Sequence, residues 1–86
     1  MSQDIQELRD KISEIDADLI AILGKRFALS AEIGRLKDEL QLPIVIESIE
    51  KPVIARARAA EAGVSADTME SIFREIIKGS VETQER

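Results

Sequence analysis

The chain has 86 residues, a formal net charge of −5 at pH 7, two phenylalanines, and neither histidine nor cysteine. A chain of this length makes one domain, here taken as residues 1–86, and buries too little of its own surface to be comfortably stable alone. The missing residue types exclude disulfides, thiolate chemistry, imidazole acid/base catalysis and the common zinc sites. The acidic balance argues against a nucleic-acid surface, so any anion site must be a local cluster of cations.

The first residues, MSQDIQELRD, have neither the apolar core of a signal peptide nor a basic leader. No run of the sequence approaches the roughly 18 apolar residues that a membrane-spanning helix requires. We therefore expect a cytosolic protein that does not contact a membrane.

Residues 3 to 40 contain no proline, and their apolar residues recur every three to four positions. This spacing predicts one long helix, roughly 55 Å in length at 1.5 Å per residue. Such a helix is longer than a compact globule of this size is wide, so the remainder of the chain cannot cover it. The apolar stripe consists of Ile5, Leu8, Ile12, Ile15, Leu19, Ile22, Leu29, Ile33, Leu36 and Leu40.

The segment QLPIVIES interrupts this periodicity. Pro43 is predicted to end the first helix, because proline cannot continue one. Ser48 is predicted to cap a second helix over residues 49 to 62. Pro52 is tolerated there because the first backbone donors of a helix lack helical partners.

Gly63 is the predicted stop of the second helix. Ser65 is the predicted N-cap of a third helix over residues 66 to 84. The sequence therefore predicts an all-α protein of three helices, one long, one short and one medium.

Arg26 stands where the stripe of the first helix requires an apolar residue. A guanidinium there needs a buried anion, from the protein or from a ligand, unless the long side chain extends far enough to reach water. A salt bridge to a second chain is equally compatible with the periodicity. Lys37 lies roughly 16 Å further along nearly the same face, so the two cations could hold opposite ends of one small ligand. Arg9 lies roughly 25 Å from Arg26 and could join that site only from a second, antiparallel chain.

The predicted third helix also carries polar residues on its apolar face, namely Ser80 and Gln84. Taken alone, Ser80 is more simply explained as a tolerated small residue that bonds its own backbone, and Gln84 as part of a frayed end. Glu50 opens the second helix, where a carboxylate interacts favourably with the helix dipole, so a structural role is its simpler explanation.

These residues together resemble the all-helical AroQ class of chorismate mutases over nearly the whole chain. The resemblance implies an intertwined homodimer in which the long first helices pair and each active site takes an arginine from its neighbour. It also implies conversion of chorismate to prephenate, a step of phenylalanine and tyrosine biosynthesis, by a [3,3] sigmatropic shift without a cofactor. The matching positions are 8–12, Ile15, Asp16, Arg26, 32–34, Lys37, Pro43, Glu50 and 80–84.

The resemblance assigns a role to each polar residue singled out above. Arg26 and the partner subunit's Arg9 would bind the two substrate carboxylates, with Ser80 assisting. Lys37 and Gln84 would donate hydrogen bonds to the ether oxygen, where negative charge grows as the C–O bond breaks.

Three further positions take roles from the same resemblance. Glu50 would accept a hydrogen bond from the ring hydroxyl and help to fix the reactive diaxial conformer. Ile33 and Ile77 would form apolar walls of the pocket.

Two loop positions depart from the family pattern. Ile46 stands where aspartate is common, and Ile49 where an arginine is usual; Glu47 could supply the acid only if the loop register shifts by one. These departures bear on pocket closure and on substrate preference. An isochorismate-pyruvate lyase or a 4-amino-4-deoxychorismate mutase on the same scaffold, or a non-catalytic helical dimer, are therefore the alternatives.

Overall fold

The long first helix is the dominant element of the fold. A computed structural model describes residues 2–85 and contains three helices, α1 (Ser2–Leu40), α2 (Glu47–Ala59) and α3 (Ala66–Gln84), with no strand among those residues. The predicted all-α fold of a long, a short and a medium helix is confirmed. The chain measures 58 × 24 × 13 Å, and its radius of gyration of 16.5 Å exceeds the roughly 12 Å of a compact protein of this length.

Helix α1 ends in a Schellman motif rather than at the proline. The Leu42 N–H donates to the Lys37 carbonyl at 2.8 Å and the Gln41 N–H to the Asp38 carbonyl at 3.2 Å. Gln41 has a φ of 56°, the left-handed conformation that this motif requires and that glycine usually supplies. The helix has therefore already ended before Pro43, which follows the motif instead of stopping the helix.

Helix α2 begins two residues before the predicted start, and the prediction of Ser48 as its cap is wrong. The N-cap is Ile46, whose side chain makes no capping bond; its carbonyl accepts from the N–H groups of Ile49 and Glu50 at 2.9 and 3.2 Å. Pro52 is consequently the sixth helical residue, beyond the first four unpaired donors. The Ser48 carbonyl therefore has no N–H donor four residues on.

The predicted stop of α2 is also placed too late. The helix ends at Ala59, where the Ala60 N–H donates to the Ala57 carbonyl at 3.3 Å and Ala60 itself is extended. Gly63 lies in the following loop with a φ of 85°. Ser65 caps α3 as predicted, since its side chain accepts from the Thr68 N–H at 3.1 Å.

Helix α3 packs against both other helices. Its contact with α1 is close at two glycines: an added Cβ at Gly34 would lie 2.6 Å from the Cα of Gln84, and one at Gly79 would lie 2.8 Å from the Phe27 ring. These glycines let α3 approach the C-terminal half of α1, where the site described below is built.

An ion-pair cluster joins α2 to α3 on the surface. Arg58 donates to Asp67 and Glu70 at 2.8 and 2.7 Å, and Arg74 donates to Glu70 at 2.7 Å. Hydrogen bonds to Asp67 and then Glu70 raise the pKa of Arg58, and hydrogen bonds from Arg74 and then Arg58 lower the pKa of Glu70. Exposed pairs of this kind stabilise weakly, so the cluster orients α2 more than it stabilises the fold.

The N-terminal half of α1 presents an uncovered apolar stripe. Ala57, with 4% exposure, is the one buried hydrophobic residue among residues 2–85. No helix in this part of the chain is long and apolar enough to cross a membrane. Six stripe residues of α1 are between 51 and 62% exposed, namely Ile5, Leu8, Ile12, Ile15, Leu19 and Ile22.

Gly34→Ala should destabilise the protein, because the new methyl group meets the backbone of α3 rather than a movable side chain. We expect the free energy of unfolding to fall by about 1–3 kcal/mol in urea titrations at fixed protein concentration. Gly24→Ala is the matched control, since nothing lies within 4 Å of its added Cβ. Gly24→Ala should raise the free energy of unfolding by about 0.5–1 kcal/mol. Equal stabilisation by both changes would mean that the contact with α3 is not close.

Candidate active site

A cavity of about 440 Å³ lies between the three helices and the loop that joins α1 to α2. α1 contributes one wall, α3 a second, and the loop with the first turns of α2 a third. Its lining combines a few polar groups with a mainly apolar surface, the usual composition of a small-molecule site. The lining residues are Arg26, Leu29, Ser30, Ile33, Lys37, Ile44, Ile46, Ile49, Glu50, Val53, Ile77, Ser80, Val81 and Gln84.

Arg26 is held at one end of the cavity by α3. Its Nη1 donates to the Ser80 Oγ at 2.6 Å. Within residues 2–85, no carboxylate forms an ion pair with Arg26 or with Lys37; the paired cations are Lys51, Arg58 and Arg74. A half-buried guanidinium whose partner is a neutral hydroxyl keeps its full charge available to an anion.

Lys37 holds the other end of the cavity and joins three elements. Its Nζ donates to the Ile44 carbonyl of the loop at 2.7 Å and to the Gln84 Oε1 of α3 at 3.1 Å. An ammonium group has three protons, so one remains for a ligand. The same side chain thus ties down the loop and presents positive charge to the cavity.

Ser30 is a site residue that the sequence did not single out. It is 6% exposed, its Oγ donates to the Ser80 carbonyl at 3.0 Å, and it accepts from the Gln84 Nε2 at 3.0 Å. Its position one helical turn after Arg26 places it on the same face of α1. That spacing was the available signal, but a serine in a helix is common and usually bonds its own backbone.

The apolar wall includes both positions that depart from the family pattern. Ile46 and Ile49 line the cavity, and Glu50 is its one lining carboxylate within residues 2–85. Glu47 does not replace the missing acid, since it lies outside this cavity and pairs with Lys51 at 3.4 Å. The part of the cavity beside the loop therefore has fewer polar groups than the family pattern provides.

The structure brings seven of the eight predicted site residues to this one cavity. Arg9 is the exception: it lies on the exposed N-terminal half of α1, roughly 25 Å along the helix from Arg26. Nothing in the fold of one chain brings Arg9 to the cavity. The seven are Arg26, Ile33, Lys37, Glu50, Ile77, Ser80 and Gln84.

A second, larger groove of about 670 Å³ lies along α2 and α3 and shares Glu50, Ile77 and Val81 with the cavity. Two of its cations are already paired, Lys51 with Glu47 and Arg74 with Glu70. Its third cation, Lys78, shares the groove with the lining carboxylates Glu50, Glu82 and Glu85, so this groove has no excess of positive charge.

Fold and cavity together define a class: an all-helical protein whose interhelical cavity is lined by two cations, Arg26 and Lys37, without ion-pair partners among residues 4–85. The sequence model of the family chorismate mutase type II matches residues 8–85, and the chain belongs to this family. A solved structure of chorismate mutase (form II) from Thermus thermophilus superposes with a TM-score of 0.91 at 31% identity, over 95% of this chain and 94% of that one.

Two similar sequences come from longer proteins. The T-protein of Enterobacter agglomerans is 37% identical over 82 residues, which are 93% of this chain and 22% of that protein. The T-protein of Haemophilus influenzae is 32% identical over 78 residues, 88% of this chain and 21% of that protein. The chain thus spans about a fifth of the length of these relatives.

Arg26→Met should leave the fold intact, because the charge it removes has no carboxylate partner within residues 2–85. We expect a change in the free energy of unfolding of no more than about 1 kcal/mol, the scale of its one hydrogen bond. Arg58→Met is the matched control: it removes a cation whose exposed ion pairs stabilise only weakly, so it should also change the free energy of unfolding little. A large loss of stability in Arg26→Met would instead identify Arg26 as a structural salt-bridge residue.

Proposed function

We propose that this chain catalyses the rearrangement of chorismate to prephenate as a homodimer and without a cofactor. The observation that carries the proposal is the pair Arg26 and Lys37, which face one cavity and form no ion pair with any carboxylate among residues 4–85. This arrangement favours a small ligand that carries negative charge at both ends and can reach both cations. A cytosolic location stays a prediction from the sequence.

One substrate carboxylate would bind at the Arg26 end of the cavity. The guanidinium has donors beyond the one given to Ser80, and the planar fork matches a carboxylate in a bidentate pair. The Ser80 hydroxyl, 9% exposed, accepts from Arg26 and has its own proton available for the same carboxylate. Holding the flexible enolpyruvyl arm in this way would also reduce the orientational part of the barrier.

The ether oxygen would lie between Lys37 and Gln84. Each still has a proton for a ligand: the third ammonium proton of Lys37, and the Gln84 Nε2 proton not given to Ser30. Negative charge grows on this oxygen as the C–O bond breaks, so both donors act more strongly on the transition state than on the substrate. Removing one preorganised donor of this kind costs about 3–4 kcal/mol of activation free energy.

The reaction is intramolecular and transfers no proton, so the site needs no base and no nucleophile. Glu50 would accept a hydrogen bond from the ring hydroxyl, and Ile33 and Ile77 would form the walls against the ring. An apolar wall lowers the local dielectric constant and strengthens the interaction of both cations with the substrate.

The homodimer is supported by the surface of the single chain. Its accessible area is 6980 Å², whereas a compact monomer of 9.5 kDa exposes roughly 5,000 Å². The excess of about 1,900 Å² includes the apolar stripe on α1, and a contiguous apolar surface is costly to leave in water. Antiparallel pairing of two α1 helices would cover it.

The same pairing would complete the site. Arg9 lies on the uncovered half of α1, too far from Arg26 in its own chain to share a ligand. In an antiparallel pair, the N-terminal half of one α1 runs beside the C-terminal half of the other. The partner subunit's Arg9 would then supply the cation for the second carboxylate.

The purified protein should convert chorismate to prephenate, followed as loss of the ultraviolet absorbance of chorismate. Arg26→Ala and Lys37→Ala should each lower turnover by at least two to three orders of magnitude while the dimer persists by sedimentation. Gly24→Ala is the control for losses in preparation, since Gly24 does not line the cavity and its added Cβ meets nothing within 4 Å. A folded dimer that neither turns over chorismate nor binds a bicyclic transition-state mimic would be the non-catalytic alternative.

A second candidate is favoured by one observation, the apolar loop wall of Ile46 and Ile49 beside Glu50. Fewer polar groups there weaken recognition of the ring hydroxyl that distinguishes chorismate from related molecules. Side-by-side turnover of chorismate, isochorismate and 4-amino-4-deoxychorismate decides the substrate. Faster turnover of either relative would assign the chain to the corresponding enzyme on this scaffold.

Mixing subunits tests whether each site is shared. Arg9→Ala and Arg26→Ala homodimers should both be inactive, whereas a heterodimer of the two has one intact site, because each subunit supplies the arginine that the other lacks. Equal mixtures that exchange randomly should regain about a quarter of wild-type activity. Exchange is checked by native mass spectrometry with one subunit isotope-labelled. No recovery after confirmed exchange would count against a site shared between the two subunits.

A further inference from the structure

Ser30 is one of two buried polar residues among residues 4–85, and it takes no part in the proposed binding of the substrate. It lies on α1 between Arg26 and Lys37, and its hydroxyl joins the α1 wall of the cavity to α3. Its one proton goes to the Ser80 carbonyl at 3.0 Å. Its oxygen is therefore the acceptor for the Gln84 Nε2, also at 3.0 Å.

This hydrogen-bond direction fixes the orientation of the Gln84 side-chain amide. The Nε2 end faces the Ser30 oxygen, and the Oε1 end accepts from the Lys37 Nζ at 3.1 Å. A flipped amide would place an NH₂ group against the ammonium of Lys37, donor against donor, and its oxygen against a hydroxyl whose proton is already donated. Ser30 and Lys37 together therefore allow one orientation.

We propose that Ser30 is a positioning residue that holds the Gln84 amide with one Nε2 proton directed at the ligand. The inference rests on the proposed function, in which that proton binds the ether oxygen. Ser30 acts through Gln84 and takes no part in the bond changes. Without its hydroxyl the amide can rotate about its terminal torsion, and the donor is no longer preorganised.

A purely structural role for Ser30 is disfavoured by a second donor to the same carbonyl. The Thr83 Oγ1 donates to the Ser80 carbonyl at 2.7 Å. That carbonyl therefore keeps a side-chain partner when Ser30 is removed, and Ser30→Ala should fold. Thr83 does not line the cavity, so Thr83→Val is the matched control: it deletes a bond to the same carbonyl without touching Gln84.

Nuclear magnetic resonance tests the orientation without relying on activity. The chain has four glutamines and no asparagine, so its side-chain amide spectrum is simple, and Gln84→Ala identifies the Gln84 pair of signals. Ser30→Ala should bring the shifts of the two Gln84 protons together and speed their exchange with solvent. Thr83→Val should leave them in place. Unchanged Gln84 signals in Ser30→Ala would overturn the proposal.

Kinetics test the consequence for the reaction. Ser30→Ala should lower kcat about three- to tenfold, the factor that one neutral hydrogen bond supplies, with a smaller change in KM because the donor acts mainly on the transition state. In a Gln84→Ala background the same change should alter kcat less than about twofold, since the group it positions is gone.

Each contrary result has its own meaning. Equal effects of Ser30→Ala in the two backgrounds, or an equal loss in Thr83→Val, would make Ser30 a structural residue and overturn the proposal. Absence of turnover in the wild-type protein would reject the proposed function itself. The amide spectrum then still decides whether Ser30 orients Gln84.

Discussion

Two positive charges face an apolar cavity without a carboxylate partner in the described part of the chain, and the rest of the site is arranged around them. Taking Arg26 and Lys37 partly out of water is unfavourable, and pairing each with an acid would be the simplest compensation. Their partners here are instead neutral acceptors, the Ser80 hydroxyl, the Gln84 amide oxygen and the Ile44 carbonyl. Neutral partners hold the side chains in place and leave their charge for a ligand.

The length of α1 is the second constraint, because one helix serves two surfaces. Its C-terminal half packs on α3 through the close contacts at Gly34 and Gly79, and carries Arg26, Ser30 and Lys37. Its N-terminal half projects beyond the other helices with its apolar stripe uncovered. The dimer proposed here would use both halves at once, since the segment that needs covering also carries the arginine that the cavity lacks.

The fold and part of the site could be predicted because long-period patterns carry strong signals. An apolar periodicity that continues over dozens of residues predicts a helix more strongly than the preferences of single residues do. A cation at a position where this periodicity requires an apolar residue is therefore easy to recognise. The start of α2 could not be predicted, because Ile46 caps it through its backbone alone. The motif that ends α1 could not be predicted either, because Gln41 takes the left-handed conformation usually left to glycine. Ser30 could not be predicted as a site residue, because its hydrogen-bond partners lie 50 and 54 residues away in the sequence. A local sequence pattern does not indicate contacts at such separations.

Lys37 takes part in the end of α1, in the loop and in the cavity. Its carbonyl accepts the Leu42 N–H that ends α1, and its side chain donates to the Ile44 carbonyl two residues further along the loop. The end of the helix, the course of the loop and the placing of the ammonium group are therefore set together. Loop residues Ile44 and Ile46 line the cavity because of this connection. A change in loop sequence can thus alter the wall beside the ligand while the cation at its end stays fixed by the helix.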